Sequence, residues 1–494
     1  MGSMALTRFE VLYQKGRRDN PHLKKFVNRA NWAAIRYPWM TITMSTTTMT
    51  HHRRHLLLIL GLASALAATD SALASGLQIT EQSVTGLGRA FAGGSLPNDD
   101  VSAVFYNPAD MMLSKGMQAQ AGMTFIGISI EADNAGSTTR LPANLGDVLT
   151  KPGTVPVFVT IPSSGLGNDD GGTDNVVPNG FFAMDINDRM RFGLGMTSPF
   201  AVSTSYSRGW VGRYHAVDSE LLTVDINPSI AYRVNDSLSI GGGVSAQYVD
   251  AKLTQALFNP LSPTKDGYVE VKADGWAFGY NLGALYEFDP NTRVSFSYRS
   301  RLNHSAEGDR TITDYLPGRN GKVSTKADVT LPDWLGLAAY RRLNDQWAVM
   351  GGVRWTNWSL FKELKLEFAD GTQSVTEENW EDSWSFNIGV SYDYNPEWTF
   401  RAGYVYDQTP VPSAEYRTPR IPDSNRNAIG LGFSYHPSSQ LSLDFGYMYI
   451  DFASASTENT VNLIPAPAGL ITDTLRLDYN GSGNLVGIQA SYRF

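Results

Sequence analysis

The sequence predicts an all-β fold: a 14-stranded antiparallel transmembrane β-barrel with an N-terminal hatch, or plug, inside the lumen. Composition is the first reason. Of 494 residues only 18% are charged while 11% are aromatic, with 46 glycines and 23 tyrosines; a soluble domain carries about 25% charge. The second reason is that no apolar run approaches the ~20 residues of a membrane helix, whereas barrel strands alternate and average out to neutral. The third is a series of period-two segments joined alternately by short and long connections.

The N-terminus reads as processing sequence. Met49 to Ala74 has a basic start (Arg53, Arg54), an apolar stretch from Leu56 to Ala68 and a small-residue end at Ala72-Leu73-Ala74. That is the pattern of a secretory signal peptide, too short and wrongly flanked for an anchor. Residues 1–48 then precede a plausible start and read as a non-native or misassigned extension, the alternative being a genuine one of unknown role. Without residues 1–74 the chain keeps 30 basic and 45 acidic residues, so its charge is −15 rather than −8. This disfavours nucleic acid as a partner. Export into an oxidising compartment is compatible with the absence of cysteine.

The barrel is expected over 117–494. In the segment Trp276 to Phe288, Trp276, Phe278, Tyr280, Leu282, Ala284, Tyr286 and Phe288 share one face, against Gly279, Asn281, Gly283 and Glu287 on the other. Candidate strands fall at 117–130, 176–186, 190–203, 220–234, 238–254, 276–288, 292–303, 327–343, 347–358, 361–368, 380–394, 398–407, 426–435, 441–451 and 484–494. Bacterial single-chain barrels have even strand counts. Ser359-Leu360 contains no turn residue, so 347–368 is merged and the expected total becomes fourteen. Short turns such as Asn235-Asp236-Ser237 and Asp289-Pro290-Asn291 use residues that favour tight reversals. Six short and seven long connections fit fourteen strands with both termini on the periplasmic side. Tryptophans at strand ends (Trp276, Trp334, Trp347, Trp358, Trp398) suit interfacial girdles, and the last strand ends on Phe494, a signal suited to the outer-membrane assembly machinery.

Residues 75–116 do not alternate. Composition alone would allow a disordered leader, but Leu77, Ile79, Phe91, Val104, Phe105, Tyr106 and Met111 are many buriable groups for a solvated tail. Catalysis has little to work with. Past residue 74 only His215, His304 and His436 could serve as histidine bases; the first two fall in or near external loops and the third in a periplasmic turn, so an enzyme is not expected. The lack of a His or Cys cluster likewise leaves no metal site, and no cofactor is expected.

Gly86-Leu87-Gly88-Arg89-Ala90-Phe91-Ala92-Gly93, then Asp99-Asp100 and Phe105-Tyr106-Asn107-Pro108-Ala109, resemble the N-terminal hatch of the FadL family of outer-membrane transporters of long-chain fatty acids and hydrocarbons. Trp276 to Arg299, Leu331-Pro332-Asp333-Trp334, Trp355 to Trp358 and Trp398 to Pro422 resemble family blocks in matching order. The resemblance implies passive transport of hydrophobic molecules: capture at extracellular loops, binding in an apolar lumen pocket, hatch rearrangement, and lateral exit at a kink in the third strand. It places Ser75, Gly76 and Leu77 at the pocket floor, with Ile79 and Phe200 also on the ligand. Asn107, Pro108 and Ala109 would anchor the hatch, and Ser198, Pro199, Phe200 and Ala201 would form the kink. Proline cannot donate to a ladder, which supports a break there, although it also suits a strand end. Where the family holds a carboxylate with basic groups, the ends of the fifth and tenth strands show Gln255 and Thr376, with Lys252 the nearest cation. Lys252 also reads as a snorkelling lysine. Both features, with a short 255–275 connection, favour a less polar ligand. A general diffusion porin and a structural or adhesin barrel are the alternatives. Outer-membrane lipid and lipopolysaccharide are the expected surroundings, and the resemblance implies a monomer.

Overall fold

The computed structural model describes residues 76–494 apart from 263 and 465–468; the expected signal peptide, the 1–48 extension and Ser75 lie outside the described residues. The first strand, Gln118–Asn134, pairs along its whole length with the last, Thr472–Arg493. Its other edge pairs with the second strand, Asp174–Asn187. That double pairing joins the last strand to the first and closes the sheet, so neither terminal strand is left as an open edge, where unpaired backbone groups would be costly.

The remaining strands follow in order, each antiparallel to its neighbours. The third is split into Met190–Thr197 and Ala201–Ser205. The fourth, fifth and sixth are Asp218–Arg233, Leu238–Leu257 and Gly267–Asp289. The seventh to tenth are also split: Thr292–Arg299 with Leu302–Thr313, Gly321–Leu331 with Trp334–Arg342, Trp347–Thr356 with Glu363–Phe368, and Gln373–Glu377 with Ser383–Asn395. Trp398–Asp407, Arg426–Tyr435 and Leu441–Asn462 complete the fourteen. The merged 347–368 segment is thus one barrel strand interrupted by a 3-10 turn at Trp358–Leu360.

Strand lengths differ from expectation on the outer side. The fifth strand runs to Leu257 and the sixth starts at Gly267, so the 255–275 connection is mostly ladder. The last two strands likewise extend to Asn462 and back from Thr472. Beyond the membrane both strand faces meet water or loops, so alternation of apolar and polar residues fades and the sequence there reads as loop.

Side-chain alternation sets the two faces of the wall. Trp276, Phe278, Tyr280 and Leu282 are exposed on the lipid side, whereas Ala277, Asn281 and Leu285 are buried. The hatch occupies the lumen with two one-turn helices, Val84–Leu87 and Ala103–Tyr106, and a 3-10 helix, Pro108–Leu113. Val84, Leu87, Ala90, Ala92 and Leu96 have no solvent exposure. Wall glycines let hatch backbone touch the barrel. A Cβ on Gly403 would stand 2.0 Å from the Arg89 carbonyl oxygen, and one on Gly283 would stand 1.8 Å from Asn107 Oδ1.

Candidate functional site: a lateral window and an aromatic box

The third strand breaks at Ser198-Pro199-Phe200, and the break changes what pairs with what. The second and third strands pair from Asn187↔Met190 up to Gly180↔Met196. Above that level the second strand continues along the first, while Ala201–Ser205 pairs with the fourth strand. The inter-strand ladder resumes only as isolated bonds higher up, Ser205 N–H to the Gly171 carbonyl at 3.2 Å and Thr173 Oγ1 to the Ser203 carbonyl at 3.2 Å. Between these levels the second and third strands are not paired, and we call this gap in the ladder the window.

The start of the hatch takes the vacated ladder position. Ile79 N–H donates to the Pro199 carbonyl at 2.8 Å and Ala201 N–H donates to the Leu77 carbonyl at 2.9 Å, with Gln78 bridged to Phe200. The other edge of the kink stays on the fourth strand, where Phe200 N–H donates to Thr223 Oγ1 at 3.0 Å. Gln82 locks the arrangement, its Nε2 donating to the Ser198 carbonyl at 2.8 Å and its Oε1 accepting from Ser198 N–H at 3.1 Å. Proline at 199 costs nothing here, because the break removes the ladder that would have needed its N–H.

Behind the kink the strand breaks build an aromatic box. Phe200 meets Trp358 edge-on at 6.3 Å, and Trp380 meets Trp358 and Phe361, each at 4.9 Å. Trp358, Phe361 and Trp380 come from the interruptions of the ninth and tenth strands, where leaving the ladder frees a side chain to turn inward. Leu77 packs in the same cluster. Gly76 closes the floor with φ +66°, and a Cβ there would lie 2.5 Å from the Trp380 ring. Its N–H donates to Asp423 Oδ2 at 3.0 Å.

The connection between the eleventh and twelfth strands, 408–425, folds inward, and sequence reasoning missed this. Its 417–424 stretch is buried throughout. It delivers Arg420 to the outer end of the fifth strand, where Nη2 donates to Gln255 Oε1 at 2.6 Å and Nη1 to Ser219 Oγ at 3.2 Å. Burial pulls the guanidinium down to about 10, so it stays charged at neutral pH. Among the described residues no carboxylate lies within the 4 Å of an ion pair with Arg420. Glu378, in the linker after Glu377 and outside the spanning piece Ser383–Asn395, is pushed up to about 8 by burial despite accepting from Trp380 Nε1 at 3.0 Å. Gln255 therefore sits near the outer end of the fifth strand, with a cation beside it that arrives from a distant loop. Lys252 is turned the other way: it pairs with Glu220 at 3.0 Å on the same strand face as the exposed Val244.

The expected anchor packs on the wall of the sixth and seventh strands. Asn107 Nδ2 reaches the Ala284 and Phe296 carbonyls at 3.3 Å each, while its Oδ1 accepts from Ala109 N–H at 3.0 Å and caps the helix that Pro108 begins. Between hatch and wall lies a cavity of about 100 Å³ reached by Ile79, Glu81, Tyr106, Arg354 and Asp407. Ligand pockets usually measure about 300–1,000 Å³, so this one is too small for a long acyl chain as it stands.

A closed fourteen-stranded barrel with a lumenal plug, and no helix long enough to cross a membrane among the described residues, has the architecture of a plugged outer-membrane barrel. The family model described as "Outer membrane protein transport protein (OMPP1/FadL/TodX)" matches residues 65–494, and the chain belongs to that family. It is therefore an outer-membrane multi-pass barrel in a family of transporters rather than enzymes. It is 28% identical over 461 residues to outer membrane protein P1 of Haemophilus influenzae, covering 87% of this chain and 97% of that protein. With the long-chain fatty acid transport protein of Salmonella typhi the identity is 30% over 421 residues, covering 79% of this chain and 90% of that one. The crystal structure of a Pseudomonas aeruginosa FadL homologue superposes with a TM-score of 0.74 at 26% identity, covering 85% of this chain and all of that one. The Pseudomonas putida toluene transporter TodX, at 16% identity and a TM-score of 0.57, shares the fold over 82% of this chain and 98% of its own.

Proposed function

We propose that this protein carries hydrophobic molecules with an acid head group, long-chain fatty acids foremost, passively across the outer membrane and releases them sideways into the bilayer. The exchange of ladder partners at the kink is the observation that carries the reading. The hatch segment Leu77 to Ile79 both closes the window and floors the aromatic box, so one movement of that segment would open the exit and loosen the pocket. An acyl chain gains roughly 0.8 kcal/mol for each buried methylene, which holds it without any catalytic group. Release then requires the hatch to give way, and the ligand shifts that balance only by binding the two hatch positions unequally.

Arg420 favours the acid. A buried guanidinium with neutral partners is expensive, and a ligand carboxylate would supply the missing charge. The relative in Salmonella typhi carries fatty acids by its name, in keeping with this choice. A second reading, a monoaromatic hydrocarbon, is favoured by the edge-on rings of Trp358, Trp380 and Phe361. Mass spectrometry of molecules retained through purification, with uptake of oleate and of toluene by cells carrying the protein, separates the two. Retained detergent alone together with uptake of neither compound would refute the transport reading.

A further inference from the structure

The window is lined on its lumen side by polar atoms that the protein does not satisfy. Thr124 on the first strand, Asn175 and Asn179 on the second and Thr197 at the last rung of the third are all buried, none more than 4% exposed. Thr124 Oγ1, Asn175 Oδ1, both amide atoms of Asn179 and Thr197 Oγ1 have no hydrogen-bond partner among the described residues. The four lie together by register. Thr124 pairs with Val177, midway between Asn175 and Asn179. Thr197 is one residue beyond the last paired rung, Gly180↔Met196, and so borders the gap itself. Asn175 Nδ2 is held by Thr173 Oγ1 at 2.8 Å, which aims its carbonyl away from that contact.

Each buried, unsatisfied polar group costs about 1–3 kcal/mol, and native proteins hold few of them. Apolar residues of the same shape would serve an exit for hydrocarbon better, and the neighbouring Val177 shows that this strand face accepts them. Clustering at the rim of the opening therefore calls for a visitor that forms hydrogen bonds.

We propose that Thr124, Asn175, Asn179 and Thr197 form a hydrogen-bonding station on the lateral exit route for the carboxyl head of an acyl substrate. The inference rests on the acid-headed reading above and extends it from the pocket to the exit. A head group leaving Arg420 must pass a wall whose outer surface is apolar. The station receives it with two hydroxyls and two amides, so desolvation falls in two smaller steps. The two hydroxyls and the Asn179 amide can donate to a carboxylate, while the Asn175 carbonyl can accept only from a protonated carboxyl; together they serve either protonation state without holding the head group as a cation would.

The chain contains no cysteine, so Asn179→Cys in the purified full-length barrel gives a reporter without background. Oleate should slow its modification by a small maleimide several-fold, and hexadecane should not. Equal protection by both, or by neither, overturns the station whether or not cells import anything. In cells, Asn179→Leu and Thr124→Val, near-isosteric changes, should lower oleate uptake on the order of tenfold, as for one or two lost hydrogen bonds, and leave toluene uptake unchanged. Asn179→Asp keeps the size and adds repulsion, so it should lower oleate uptake at least as far. A parallel loss for both compounds in barrels that assemble normally would assign the residues to structure alone and overturn the proposal. Wild-type cells that import toluene but not oleate would overturn the acid-headed reading and the station together. Wild-type uptake of neither compound, with selective oleate protection of Asn179→Cys intact, would refute the transport reading while the station stood.

Discussion

The backbone N–H of Ile79 donates to the carbonyl of Pro199 at 2.8 Å, so the first residues of the hatch act as a surrogate strand for the broken wall. Restoring the third strand should remove the need for that surrogate. We expect the triple change Ser198→Thr, Pro199→Val and Phe200→Thr to let the second and third strands pair past Met196, closing the window. Uptake should fall to background while the barrel still assembles, as judged by heat-modifiable mobility. Unchanged uptake would place the exit elsewhere.

The barrel was legible because its signal is repeated: fourteen alternating segments and the residues between them repeat one physical rule. Pro199 pointed to the strand break, although proline also suits a strand end; the break itself is seen in the split between Met190–Thr197 and Ala201–Ser205. The polar end of the pocket was not legible. Arg420 lies 165 residues from the Gln255 it contacts, in a stretch whose Thr-Pro-Arg-Ile-Pro sequence reads as an ordinary outer loop. Nothing local distinguishes a loop that folds inward from one that faces water. Lys252 carried two readings, ligand cation and snorkelling lysine; it stands at the height of the first, but strand parity turns it outward to Glu220, in keeping with the second, and one residue decides the face.

The hatch is tied to the wall by Asp99, which bonds Arg89 of the hatch and Arg401 of the eleventh strand at 2.9 Å each. Burial by itself would raise the Asp99 carboxyl, but the two guanidinium groups hold it below its ordinary value of 3.8. Its contribution is therefore complete above about pH 4 and is lost as pH falls through the depressed value. Asp99→Asn should loosen the hatch by about 3 kcal/mol, the scale of a broken buried ion pair. Limited proteolysis should then cut within 76–116 at neutral pH, while the wild-type hatch becomes cleavable only in acid.

Close backbone approach makes a second handle on the hatch. At Gly403 a methyl group would collide with the Arg89 carbonyl, which is backbone and cannot swing aside. Gly403→Ala should cost about 1–3 kcal/mol by overpacking, felt as hatch displacement because the strand is held by both neighbours. Planar-bilayer recordings should show a rise in conductance over the wild type. A large steady conductance in the wild type itself would favour a diffusion porin.

Glu378 and Arg420 together predict a pH dependence for acid ligands. Burial raises the Glu378 carboxyl from 4.5 to about 8, with the Trp380 hydrogen bond and the Arg420 charge opposing that rise. Below about pH 8 Glu378 is neutral and a ligand carboxylate meets an Arg420 with no nearby acid to compete. Above it Glu378 ionises and supplies the same negative charge from within the protein. The affinity for oleate should therefore fall as pH rises past about 8, by at most tenfold per pH unit for one competing proton. The same raised value means that folding favours neutral Glu378, so its effect on stability is unfavourable as pH climbs from 4.5 towards 8. Glu378→Gln should flatten the binding curve and keep affinity high at pH 9, whereas Arg420→Met should weaken oleate at every pH and leave toluene alone. Radiolabelled oleate binding to the purified barrel at pH 6 and pH 9 measures both. A wild-type curve that is flat across that range, or Glu378→Gln binding that still declines, would remove Arg420 from the head-group site.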